Sequence, residues 1–195
     1  MSYKKQIEDH EVTLNGVKLI IRKGVFSPTN STKLVLDNIP NMKNKVVLDV
    51  GSGSGVLGIY CALSGAKKIV SVDNDEKVVQ NTKENVDRND CKNIFSVIKS
   101  DLFENVSGKF DFIFGNLPTS NRSWNLEGTT QDLMKTFIVE CPKYLKKNGR
   151  VYFTWNSNEN VDEIKDFLSN SKFNFKITDE RVSGRTWYLF ELKLK

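Results

Sequence analysis

From residue 45 onward the hydrophobic positions of this chain switch repeatedly between two rhythms. Short apolar runs occur in KVVLDV (45–50), KIVSVD (68–73), IFSVIKSD (94–101), FDFIFGN (110–116) and VYFTW (151–155). Each is bounded by polar or turn-forming residues, which predicts buried strands. Between several of them the apolar residues recur at helical spacing. One such stretch is Val56, Leu57, Ile59, Tyr60 and Leu63, closed by Gly65 as a C-cap. Another is Leu133, Met134, Phe137, Ile138, Cys141, Tyr144 and Leu145, which Pro142 should kink or split. A third is Val161, Ile164, Phe167 and Leu168, where Asn160 and Glu163 have the spacing of a capping box.

The two ends of the chain have a different pattern. EVTLNGVKLII (11–21) alternates around Asn15-Gly16, a hairpin signal. SPTNSTKLVLDNI then offers capping residues ahead of Leu34, Val35, Leu36 and Ile39, as at a helix start. FNFKITDERV and TWYLFELKL flank Ser183-Gly184-Arg185 with no helix between them, which predicts a terminal antiparallel hairpin. Alternating strands and helices imply a parallel sheet covered on both faces. The expectation is an α/β domain with a seven-stranded, mostly parallel sheet and an antiparallel last strand.

Composition narrows the class. The 195 residues suffice for one domain, and 38% hydrophobic with 27% charged residues is ordinary for a soluble protein. No apolar run approaches a membrane span, and the polar start lacks the apolar centre of a signal peptide. Cys61, Cys91 and Cys141 are odd in number and far apart, so they suit neither a disulfide framework nor a zinc site. These features imply a cytoplasmic protein. His10 is the single histidine, which argues against a histidine-based metal site or a Ser-His-Asp triad. The net charge of +5 is spread along the chain, with LKKNGR (145–150) its densest point, and is weak evidence for nucleic acid.

The stretch VVLDVGSGSGVLGIY (46–60) is a strand, a glycine-rich turn and a helix. Such a turn lets the backbone approach a ligand and aims helix N-terminal amides at it. The next strand ends in SVDND, where the Asp73 carboxylate can accept hydrogen bonds from both hydroxyls of a ribose. The dinucleotide pattern wants a small third residue where this chain has Val56. Asp49, just before the loop, would repel a pyrophosphate but attract a sulfonium or ammonium. The charge pattern therefore favours S-adenosyl-L-methionine over a dinucleotide.

VLDVGSGSG, VSVDND, KSDLF and GNLP, in this order and spacing, resemble class I S-adenosylmethionine-dependent methyltransferases. The resemblance implies a Rossmann-like methyltransferase fold over residues 1–195. Residues 1–24 would form an N-terminal hairpin extension and residues 25–195 the catalytic core. It also implies that Gly51, Ser52, Gly53, Ser54 and Gly55 pass the methionine part of the cofactor. Asp73 would hold the ribose, Asn74 would lie beside the adenine, and Asp101 with Leu102 would face the adenine edge.

GNLP (115–118) ends the fourth strand, beside the transferable methyl group in such a fold. Asn116 has a side-chain carbonyl that can accept N–H groups of a nitrogen nucleophile, and Pro118 stiffens the turn. NLP resembles the Asn/Asp-Pro-Pro-aromatic motif of amino-methylating enzymes, in the form found in RNA adenine dimethyltransferases. The leading LNGVKLIIRKGVFSPTNST resembles the release-factor glutamine methyltransferases and their small-domain relatives. Thr119 stands where the motif has its aromatic, and the helical recognition domain of the release-factor enzymes has no counterpart. Phe26, Leu117 and Trp124 are the candidate substrate contacts, Trp124 sitting in the polar loop TSNRSWNLEGTTQ (119–131); Trp155 reads as core. The expected reaction is methyl transfer to nitrogen in a protein side chain, an RNA base or a small molecule, with no metal and no membrane. A nicotinamide oxidoreductase and a non-catalytic cofactor-binding scaffold stay open as alternatives.

Overall fold

In the computed structural model, residues 8–119 and 128–195 are described. The hairpin expected at Asn15-Gly16 forms as β1 (His10–Leu14) and β2 (Val17–Ile21), and both turn residues take positive φ. Next come α1 (Asn30–Asp37), β3 (Val46–Val50), α2 (Val56–Leu63) and β4 (Lys68–Asp73). Then follow α3 (Glu76–Arg88), β5 (Phe95–Lys99), β6 (Phe110–Gly115) and α4 (Thr130–Glu140). The chain ends with β7 (Leu145–Asn156), α5 (Val161–Ser169), β8 (Phe173–Val182) and β9 (Arg185–Leu194).

The main sheet has seven strands in the order β5-β4-β3-β6-β7-β9-β8. Strands β5, β4, β3, β6 and β7 are parallel, and β9 runs antiparallel between β7 and β8. The expected fold class is therefore the observed one. Side chains alternate across β3, so Val47 enters the core shared with α1, α2 and α3, while Leu48 and Val50 enter the core shared with α4 and α5. Pro142 ends α4 and opens a single 3-10 turn, Cys141–Tyr144, which leads directly into β7. Asn160 caps α5 by accepting the N–H groups of Asp162 and Glu163. Glu163 does not complete the box; its carboxylate takes Lys135 Nζ at 2.6 Å.

Helix α3 is the element whose apolar periodicity is hardest to see. Its inward face carries Asn81, Thr82 and Asn85, all buried, between Val78, Val79 and Val86. These polar groups are satisfied by backbone, as buried ones must be. Asn85 and Asn89 accept the N–H groups of Ile20 and Lys18 at 2.7 and 3.0 Å, and Asn81 accepts that of Arg22 at 3.3 Å. Their amide nitrogens return hydrogen bonds to the carbonyls of Ile20 and Lys18. A row of asparagines at i, i+4 and i+8 thus replaces the strand that β2 would otherwise need at its edge.

Candidate active site

A cavity of about 820 Å³ opens at the carboxyl ends of β3, β4 and β6 and beyond the end of β5. That is where open α/β sheets hold ligands. Its walls bring together Gly51, Ser52, Gly53 and Ser54 after β3, Asp73 and Asn74 at β4, and Asp101 and Leu102 after β5. Asn116, Leu117 and Pro118 follow β6, and Phe26 arrives from the segment before α1. Thr29, Ser31, Thr32, Asp132 and Thr136 also line it, and the sequence analysis did not single them out. The hydroxyl-rich SPTNST segment and the Thr129/Asp132 spacing were the available signals.

The glycine loop is shaped from two sides. Gly51 has φ +73°, and a Cβ there would stand 2.8 Å from Leu117 Cδ2. Gly53 has φ +54° with nothing within 4 Å of an added Cβ, so its open side belongs to the cavity. From behind, Thr82 donates to the Gly53 carbonyl at 2.9 Å and Asn85 to the Ser54 carbonyl at 2.9 Å. With those carbonyls tied back to α3, the Gly53 N–H is left facing Asp73, whose Oδ2 accepts it at 3.2 Å. Asp73 Oδ1 takes the Asp75 N–H at 3.2 Å. Burial raises the Asp73 pKa, and these backbone hydrogen bonds oppose the rise.

Asp49 and Gly55 are not on the wall. Asp49 is 1% exposed and lies on the α2 face of β3. Its Oδ2 accepts the Gly58 N–H at 3.3 Å and the Ser71 hydroxyl at 3.4 Å. It does the work of an N-cap from outside the helix, because Gly55, the N-cap residue of α2, has no side chain to offer. Burial pushes its pKa up to about 7. Gly55 has φ +82°, and a Cβ there would collide with Thr82.

At the other end, Asn116 is held by two hydroxyls. Thr154 on β7 donates to its Oδ1 at 2.6 Å, and its Nδ2 donates to Thr32 of α1 at 3.1 Å. Thr119 is 2% exposed and turned inward, where its hydroxyl accepts the Asn156 amide. The position of the motif's aromatic therefore faces the protein interior. Trp155 is fully buried in the core. Trp124 lies outside the described residues.

The described wall carries Asp73, Asp75, Asp101 and Asp132 and no Lys, Arg or His, in a chain of net charge +5. The Thr129 hydroxyl and N–H hold the Asp132 carboxyl below its ordinary pKa. Such a wall suits a cationic ligand rich in hydroxyls and amines, as S-adenosyl-L-methionine is, and not a pyrophosphate. Among the described residues there is no group of metal-ligating side chains and no helix long and apolar enough to cross a membrane.

Fold and cavity together define a Rossmann-like methyltransferase. The methyltransferase small domain family matches residues 16–179. The chain belongs to that family, is a methyltransferase, and takes S-adenosyl-L-methionine as its cofactor. A Methanocaldococcus jannaschii protein, provisionally named a protein N5-glutamine methyltransferase, is 38% identical over 170 residues, 79% of this chain and 85% of that protein. The ribosomal protein L11 methyltransferase of Thermosipho africanus is 38% identical over 105 residues, 54% of this chain and 35% of that one. Among solved structures, the L11 methylase of Lactobacillus delbrueckii subsp. bulgaricus superposes with a TM-score of 0.70 at 22% identity, covering 89% of this chain and 84% of that one. The 16S rRNA N2 G1207 methyltransferase of T. thermophilus, solved with cofactor and guanosine, gives 0.71 at 20% identity, covering 95% and 50%. At these identities the two structures speak for the fold.

Proposed function

We propose that this enzyme methylates the carboxamide nitrogen of a protein side chain. The observation that carries the reading is the wall around Asn116. It offers the hydroxyls of Thr29 and Ser31 and the Asn116 carbonyl, and no cation among the described residues. The residue after Pro118 is buried, so it provides no ring for stacking a base. Nucleic-acid sites need cations for phosphate and ring faces for bases. A short aliphatic side chain ending in an amide needs hydrogen-bond acceptors, which this wall has. The Methanocaldococcus jannaschii relative, whose name specifies glutamine, agrees with this choice.

In this reading the bound cofactor supplies an electrophilic methyl group, and the protein supplies orientation and charge. Asp73 receives the ribose hydroxyls, Asn74 and Asp101 the adenine, and the Gly51–Ser54 backbone the methionine part. An amide nitrogen is a poor nucleophile because its lone pair is delocalised. Asn116 accepts its N–H and counters the positive charge that develops on it, and the proton the nitrogen sheds passes to water.

The test is transfer from S-adenosylmethionine with a labelled methyl group to three acceptors: glutamine-containing peptides, the same peptides with asparagine, and total RNA. Label should appear in the glutamine peptides, on the side-chain nitrogen by mass spectrometry. Asn116→Ala should lower turnover roughly 100-fold or more, as for loss of one well-placed polar group, while cofactor affinity changes little. Label in RNA instead, or wild-type turnover in the alanine variant, would overturn the reading.

A further inference from the structure

We propose that Thr154 and Thr32 are positioning residues that hold the Asn116 carboxamide in one orientation for the acceptor. This rests on the role given to Asn116 above. Neither threonine belongs to the glycine loop or to Asn-Leu-Pro. Thr154 lies 38 residues after Asn116 and is 0% exposed in the middle of the apolar run of β7. Gly115, the last residue of β6, pairs with Phe153, and the residues that follow them, Asn116 and Thr154, are joined by their side chains. Thr32 is 84 residues before Asn116, in the first turn of α1.

The two contacts differ in length in the way their donors predict. The Thr154 contact of 2.6 Å has the length of an O–H···O bond, and the Thr32 contact of 3.1 Å that of an N–H···O bond. Thr32 Oγ1 also accepts the Thr29 N–H at 3.3 Å, so accepting from Nδ2 as well fills its two lone pairs. Thr154 is then the donor to Oδ1. One lone pair of Oδ1 and one proton of Nδ2 remain for a ligand. A rotated amide would present a donor where the acceptor's N–H arrives, and two N–H groups facing each other repel. A valine at 154 would fill the same space in the apolar strand without needing a hydrogen-bond partner. The hydroxyl is the feature that packing does not require.

The experiment has one readout that needs no acceptor. The Asn116 side-chain amide signal, assigned by its loss in Asn116→Ala, is followed by ¹⁵N NMR, and solvent exchange of its protons is measured. Thr154→Val should speed that exchange at least about tenfold, since one of the two bonds holding the amide is gone. On the glutamine peptides its turnover should fall by a similar factor with the S-adenosylmethionine KM within about twofold. Thr154→Ser should restore both. In the Asn116→Ala background Thr154→Val should cost no further turnover. Wild-type exchange in Thr154→Val, no rescue by serine, or losses that add in the double variant would overturn the proposal. Should Thr154→Val prove unstable in a thermal melt, Thr32→Val probes the same amide from α1 and should speed exchange alike. If Asn116→Ala itself keeps wild-type turnover, the function reading fails while the exchange result still judges the geometry.

Discussion

Asn85 grips Ile20 by both backbone groups, its Oδ1 accepting the N–H at 2.7 Å and its Nδ2 donating to the carbonyl at 3.0 Å. The same Nδ2 donates to the Ser54 carbonyl at 2.9 Å. One buried side chain therefore joins the N-terminal hairpin to the glycine loop. Asn85→Leu removes all three bonds; the Ile20 carbonyl keeps Asn81, but the Ile20 N–H and the Ser54 carbonyl lose their partner, each costing about 1–3 kcal/mol. Urea unfolding should show a loss of at least about 2 kcal/mol. Titration of the folded variant should show weaker S-adenosylmethionine binding, because the Ser54 carbonyl is released. A stability within a few tenths of a kcal/mol of wild type would refute this account of the brace.

Asp73 is committed twice to backbone, to Gly53 and to Asp75. Its remaining lone pairs are the ones assigned to the ribose. Asp73→Ala should weaken S-adenosylmethionine at least about tenfold by calorimetry, since hydrogen bonds to a charged acceptor are worth about 1.5–3 kcal/mol each. A ligand lacking the ribose hydroxyls should bind wild type and variant more nearly alike. Unchanged titration curves in Asp73→Ala would remove the ribose assignment.

Asp49 makes stability depend on pH with a definite sign. Its folded pKa, about 7, is raised above the unfolded value of 3.8 by burial. Between those values the folded state binds the extra proton, so its contribution is full below about pH 4 and is lost as pH rises toward 7. The ligand-free wild type should lose stability relative to Asp49→Asn over that window, by up to about 1.4 kcal/mol per pH unit. Above about pH 8 the difference should be flat. A difference that is level from pH 4 to 8 would mean that Asp49 ionises freely.

Thr119 shows where the sequence misleads. It occupies the place of the motif's aromatic, the position expected to face a planar substrate. The structure buries it and uses its hydroxyl for Asn156. Thr119→Tyr should therefore destabilise, by about 1–3 kcal/mol for overpacking, seen as a lower melting temperature. It should not tighten binding of the glutamine peptides.

Much of this fold was legible because its signals are local. The Asn15-Gly16 turn, the apolar strand runs and Pro142 each act within a few residues. The glycine loop and Asp73 were legible for the same reason, being two strand ends with fixed chemistry. Helix α3 was harder, because Asn81, Thr82 and Asn85 face inward toward backbone that lies 29 to 65 residues away. Thr154 was hidden likewise, as a hydroxyl whose partner, Asn116, lies 38 residues away in sequence. Adjacency to the glycine loop suggests that Asp49 lies near the cofactor. Strand alternation turns it to the opposite face from Val50, which lines the cavity.

Two glycines of the loop should separate stability from binding. Both have positive φ, so alanine at either carries backbone strain of about 1–2 kcal/mol. At Gly51 the new methyl would also meet Leu117 Cδ2 at 2.8 Å, inside the protein. At Gly53 it would meet nothing within 4 Å and would project toward the cavity that Gly53 lines. Gly51→Ala should therefore lower the melting temperature more than Gly53→Ala does. Gly53→Ala should keep most of the stability yet lose S-adenosylmethionine affinity by well over tenfold, because the methyl occupies space assigned to the methionine part. Calorimetric titration and thermal melts on the two variants make the comparison. Equal melting temperatures with intact binding in Gly53→Ala would show that the cofactor does not pass over this residue.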